Sequence, residues 1–190
     1  MADNHQEEPL TLRTPNRFIT DHDDATGLSV FNTSIPDPLP AANNGGAITS
    51  HLGYATTSHP ADLTGRSDLT TYSSFLPSSS TTTSSPPPGI VIPGGSVLRI
   101  VDMRPGGETP MHRTVSLDYG VVLEGEVELV LDSGESRVLR RGDVSVQRGT
   151  SHAWRNRSRT GWGRMLFVTL GARPVEVNGE VLGEDVGGGL

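Results

Sequence analysis

Downstream of residue 90 the apolar positions fall in short runs of four to eight residues. The runs are SVLRIVDM (96–103), YGVVL (119–123), EVELVL (126–131), SRVL (136–139), DVSVQ (143–147), HAWRN (152–156) and RMLFVTL (164–170). In EVELVL, Val127, Leu129 and Leu131 alternate with Glu126, Glu128 and Val130, the period of two expected of a half-buried strand. Between the runs stand RPGG, EG, DSGE, RRGD, RGTS and RSRTGWG, all of them turn formers. DSGE reads as a hairpin turn in which Gly134 is free to take positive φ. Many short strands with no helix between them predict an all-β barrel or sandwich.

Upstream of residue 90 the pattern is different. RFITDHDDATGLSVFN (17–32) reads as two short strands about an acidic turn, with Phe18, Ile19, Leu28, Val30 and Phe31 as its apolar content. SDLTTYSSFL (67–76) places Leu69, Tyr72 and Leu76 at helical spacing behind Ser67, a capping residue type. Ten of the sixteen residues from Ser73 to Pro88 are Ser or Thr and four are Pro. Such a run buries too little apolar surface to offset its ordering entropy, so 77–88 reads as a disordered linker, and PDPLPAANNGG (36–46) reads the same way. The expected organisation is an N-terminal arm over 1–89 and a barrel with a C-terminal tail over 90–190.

Composition narrows the chemistry. The net charge of −7 and pI near 5.3 argue against a nucleic-acid binder, which needs a basic footprint. All fifteen basic residues are arginine, and there is no cysteine. That removes lysine Schiff bases, thiol nucleophiles, thiolate–metal sites and disulfides. No apolar run reaches membrane-spanning length and MADNHQEEPL is not a signal peptide, so a cytoplasmic protein without a membrane partner is expected. No strand–GxGxxG–helix unit for a nicotinamide or flavin is present.

The chemistry-bearing residues lie in PMHRTVSLDYGVVLEGEVELVLDSGE (110–135) and GDVSVQRGTSHAWRN (142–156). Gly107, His112-x-Thr114, Asp118 and Gly125 fall at the spacing of the first motif of the cupins. Gly142, Gln147, Gly149, His152 and Asn156 fall at that of the second. The chain therefore resembles a small single-barrel cupin, and among cupins the cupin-domain oxidoreductases of fungal secondary-metabolite gene clusters. The resemblance implies a double-stranded β-helix, jelly-roll-like, and a site in which His112, Asp118 and His152 hold a divalent metal ion. Two imidazoles and a carboxylate suit Fe(II), Mn(II), Zn(II) or Ni(II). The chain departs from the family pattern in having Thr114 for a histidine, Asp118 for a glutamate and Gln147 for a proline. Thr114 then lines an open coordination position, and Asp118 becomes the weaker or indirect ligand.

Around this set, Trp154 follows His152 by two residues and is expected to wall the pocket. Tyr119 and Arg164 are further pocket candidates, the arginine for a substrate carboxylate or phenolate. His5, His22, His51 and His59 read as surface residues of the arm. Without a metal, His152 would act as base with Asp118 orienting it.

The expected function is a metal-dependent oxidoreductase acting on a small polyketide-like or aromatic molecule. The alternatives are an isomerase, dehydratase or decarboxylase using metal or acid–base chemistry, and a non-catalytic metabolite-binding barrel. Small single-barrel cupins usually dimerise. The strands of 17–32 are expected to pair with a barrel edge in a homodimer.

Overall fold

The computed structural model describes residues 12–44, 46–77 and 88–186. The run 77–88 lies outside the described residues apart from Pro77 and Pro88. The strands are β1 (Ile19–His22), β2 (Ser29–Asn32), β3 (Ala41–Asn44), β4 (Ile48–Thr56), β5 (Ser96–Met103), β6 (Ser116–Glu124) and β7 (Glu126–Leu131), then β8 (Ser136–Arg140), β9 (Val144–Arg148), β10 (His152–Arg155), β11 (Gly163–Gly171), β12 (Val175–Val177) and β13 (Glu180–Leu182); a short 3-10 turn (Thr64–Arg66) leads into the helix α1 (Ser67–Ser74) before β5.

Two antiparallel sheets form a jelly-roll-like barrel. One has six strands in the order β3-β4-β5-β11-β6-β9, the other three in the order β10-β7-β8. Each run of alternating residues turns one face inward, and the core fills the space between. Met103, Val122 and Met165 from the large sheet meet Val127, Leu139 and Trp154 from the small one. Farther along the barrel, α1 closes the packing: Leu69 and Tyr72 join Ile35, Ala55 and Val97 in a second apolar cluster. Ser67 is the first helical residue and not the cap; Arg66, in the left-handed region, holds the N-cap position.

Upstream of the barrel one expectation is corrected. Residues 36–44, within the stretch 36–46 read as a linker, are ordered instead: Leu39 is buried and Ala41–Asn44 pair with β4. Strand pairing is a main-chain property, so small and proline-flanked residues can form it without an apolar signature. Within the chain the edge of β5 is covered by β4, from Ile48 to Thr56. Strands β1 and β2 do form within 17–32, but among the described strands they pair only with each other. No helix among the described residues is long and apolar enough to cross a membrane.

Candidate active site

A cavity of about 620 Å³ opens between the sheets, and His112, Thr114, Asp118, Gln147, His152 and Trp154 all contribute to its wall. The two histidines meet across an isolated antiparallel bridge: each main-chain N–H donates to the other's carbonyl at 2.9 Å. That pairing sets the rings side by side, with centroids 4.4 Å apart. His112 Nδ1 donates to the Pro110 carbonyl and His152 Nδ1 to the Thr150 carbonyl, both at 2.9 Å. A carbonyl only accepts, so the proton of each neutral imidazole sits on Nδ1 and each Nε2 keeps a free lone pair. Burial holds His152 in that neutral form, its pKa depressed to about 4 against the opposing hydrogen bond to the Thr150 carbonyl.

Asp118 enters from β6, where alternation points it inward beside Gly120 and Val122. It is buried, and its Oδ1 has no partner. Burial raises its carboxyl to about 6, with a hydrogen bond from Ser116 opposing the shift. Its register partner on β9 is Gln147. The Gln147 Oε1 accepts from the Thr150 hydroxyl at 2.7 Å, which leaves the buried Nε2 as a donor without a partner. An orphan acceptor and an orphan donor thus share one part of the wall. In the sequence Gln147 is visible only as a departure from a proline. The Thr114 hydroxyl is taken up by Ser116 Oγ at 2.7 Å. Trp154 stands edge-on to His152, with centroids 5.8 Å apart, and to Phe167 at 5.3 Å.

Two expected pocket residues lie elsewhere. Tyr119 follows Asp118 directly, so the strand sends it to the opposite, solvent-facing side. Arg164 is buried but faces away from the cavity. Its Nε and Nη2 both bond the Asp102 carboxylate at 2.6 Å, leaving that fork engaged by a protein anion. The same Asp102 meets His51 Nε2 at 3.2 Å. His51 is therefore a buried partner in an ion cluster on the sheet, not a surface residue. Nothing local marks it, because Asp102 lies 51 residues away in sequence.

The histidine pair suits part of a divalent-metal ligand set. Two Nε2 lone pairs on fixed, neighbouring imidazoles fit two coordination positions, and the carbonyls that orient them are the supporting partners such ligands require. Among the described residues no three His, Cys, Asp or Glu side chains converge as a metal-holding group. Asp118 accordingly stands as a carboxylate of the same cavity wall, not as an assembled third ligand.

A family model described as a cupin domain matches residues 99–169. Phomopsin biosynthesis cluster protein D of Diaporthe leptostromiformis is 66% identical over 190 residues, covering 100% of this chain and 96% of its own. Oryzines biosynthesis cluster protein J of Aspergillus oryzae is 45% identical over 90% of this chain and 91% of its own. The cupin-domain-containing oxidoreductase srdB of Neurospora crassa is 42% identical over 93% and 83%.

Proposed function

The chain belongs to the cupin family, and from that premise we propose that it is a tailoring oxidoreductase of secondary metabolism acting on a small, largely apolar molecule. The relatives named as biosynthesis-cluster proteins and cupin-domain-containing oxidoreductases support the class. One structural observation carries the chemistry: two buried imidazoles stand side by side in the cavity wall with Nδ1 tied to carbonyls and Nε2 free. His112 and His152 would hold a divalent ion there, Fe(II), Mn(II) or Zn(II), with Asp118 as an indirect or weaker ligand. Such an ion, when bound, supplies Lewis-acid or redox chemistry to an oxygenated substrate.

The protein's own residues do the rest. Trp154, edge-on to His152 and backed by Phe167, would present an apolar surface to the substrate beside the histidine pair. Gln147 Nε2 offers a hydrogen bond to a substrate oxygen. Asp118, with its carboxyl near 6, exchanges a proton close to neutral pH. A second reading rests on that last feature: without a metal, neutral His152 and Asp118 would shuttle a proton, giving isomerisation, dehydration or decarboxylation.

Metal analysis separates the two. Purified protein should carry a divalent metal, and chelator-stripped protein should melt higher when Fe(II), Mn(II) or Zn(II) is restored. His112→Ala and His152→Ala should each abolish both effects. Metal content and melting that ignore both substitutions would replace the metal reading with the acid–base one. The same proposal includes a homodimer, in which a second copy covers the apolar side chains that β1 and β2 leave exposed.

A further inference from the structure

Arg99 stands in the cavity wall, and among the described residues it has no anionic partner. It lies on β5, where alternation sends it inward with Val101, between its register partners Leu52 on β4 and Phe167 on β11. Its Nη2 donates to the Pro88 and Gly89 carbonyls at 2.7 and 2.8 Å. Those bonds orient the guanidinium plane, but neutral carbonyls leave its charge uncompensated. The Nε is buried without any partner, and burial alone pulls the pKa of the group down. Among the described residues no carboxylate lies within ion-pair distance of Arg99, whereas the buried Arg164 is held by Asp102. Asp118, which lines the same cavity, makes no ion pair with it. A desolvated cation without a counter-charge destabilises the empty fold, and an anion brought in by a ligand recovers that cost.

We propose that Arg99 recognises an anionic group on the substrate, and that the cavity takes a carboxylic acid with an apolar body. The inference rests on reading the cavity as the reaction site. With Nη2 held by the two carbonyls and Nε enclosed, the guanidinium keeps its Nη1 to donate a charge-assisted hydrogen bond to a ligand carboxylate in a fixed direction. Ile48, Leu52, Phe75, Leu76 and Ile90 line the same cavity with apolar surface. From Arg99 the wall continues through Phe167 and Trp154 to His152, with successive ring separations of 5.3 and 5.8 Å. An acid anchored at Arg99 would lay its body along this aromatic row toward the histidine pair. The charged end would then give position and selectivity, while the far end of the molecule meets the chemistry.

The probes are 2-naphthoate and its neutral amide, 2-naphthamide, titrated calorimetrically into chelator-stripped protein. Wild type should bind the acid about 10- to 100-fold more tightly than the amide. Arg99→Met should erase that preference while leaving amide binding within about threefold, as expected for an apolar stem of similar length. Arg99→Lys, which keeps the charge and loses the fork, should keep part of it and serves if the methionine variant does not fold. Equal binding of acid and amide by wild type overturns the inference, as does an undiminished preference in either folded variant lacking the guanidinium. Metal is absent throughout, so a failure of the metal reading leaves this result unchanged. Arg99→Met that loses the preference yet still takes up metal separates the two conversely.

Discussion

Two groups in one cavity wall titrate in opposite senses, and the consequence is measurable. The Asp118 carboxyl is raised from 3.8 to about 6, so the folded state binds its proton more tightly than the unfolded chain does. Its contribution is complete below about 4 and is lost as pH rises through 6. The His152 imidazole is lowered from 6.5 to about 4, so here the unfolded chain binds the proton more tightly. Its contribution is complete above 6.5 and is lost as pH falls through 4. Between these limits the two slopes oppose each other and metal-free wild type should be nearly flat with respect to them. Asp118→Asn should expose the histidine term, losing about 3 kcal/mol more than wild type between pH 6.5 and 4 in urea unfolding. His152→Gln should tilt the other way. Curves parallel to wild type for both variants would show that burial does not govern these groups. The residues behind this argument were legible because motif spacing marks His112, Asp118 and His152 without any structure. Arg99, Gln147 and His51 were not. Their roles come from what surrounds them across strands, as with the unpaired guanidinium of Arg99 and the distant carboxylate that buries His51.

At the scale of elements, the alternation of EVELVL and the run SVLRIVDM mark β7 and β5 residue for residue. Strand β4 escaped notice because its inward row is Ile48, Ser50 and Leu52, with polar residues on both faces and a register shift at Gly53. Turns carry a sharper test. Gly125, the single residue between β6 and β7, has φ +72°, and a Cβ there would sit 2.6 Å from the Trp162 carbonyl oxygen. Gly134, in the β7–β8 turn, has φ +87° but nothing within 4 Å of the added carbon. Replacing either by alanine forces an L-residue into left-handed backbone at about 1–2 kcal/mol. Only Gly125→Ala adds a backbone collision that no side-chain rotation relieves. It should therefore be clearly the less stable of the two by denaturant unfolding, with Gly134→Ala losing little more than the backbone term. Equal losses would mean that β11 shifts freely to make room for the methyl group.

The whole molecule leaves two apolar surfaces in water, and they bear on assembly. On the β1–β2 hairpin, Phe18, Leu28 and Phe31 are 63%, 68% and 69% exposed. On the outer side of β9, Val144 and Val146 are exposed, beside the outward Tyr119 of β6. Hydrophobicity along 17–32 signals strands, but it cannot tell whether a hairpin will find its cover within its own chain. Here β4 already occupies the β5 edge, so the hairpin has no strand partner there. A contiguous apolar surface of this kind marks an interaction site more often than a monomer's free face. A two-fold copy can place each hairpin on its partner's outer sheet, burying both surfaces twice in one closed interface. Each copy carries a net charge of −7, so long-range electrostatics oppose the encounter and apolar contact must drive it. Sedimentation should therefore show a dimer that added salt does not weaken. Phe31→Glu or Val146→Glu should shift it toward monomer, whereas His152→Ala, inside the cavity, should not. A wild-type monomer at high concentration would sink this arrangement, and a dimer indifferent to both glutamates would put its interface on another face.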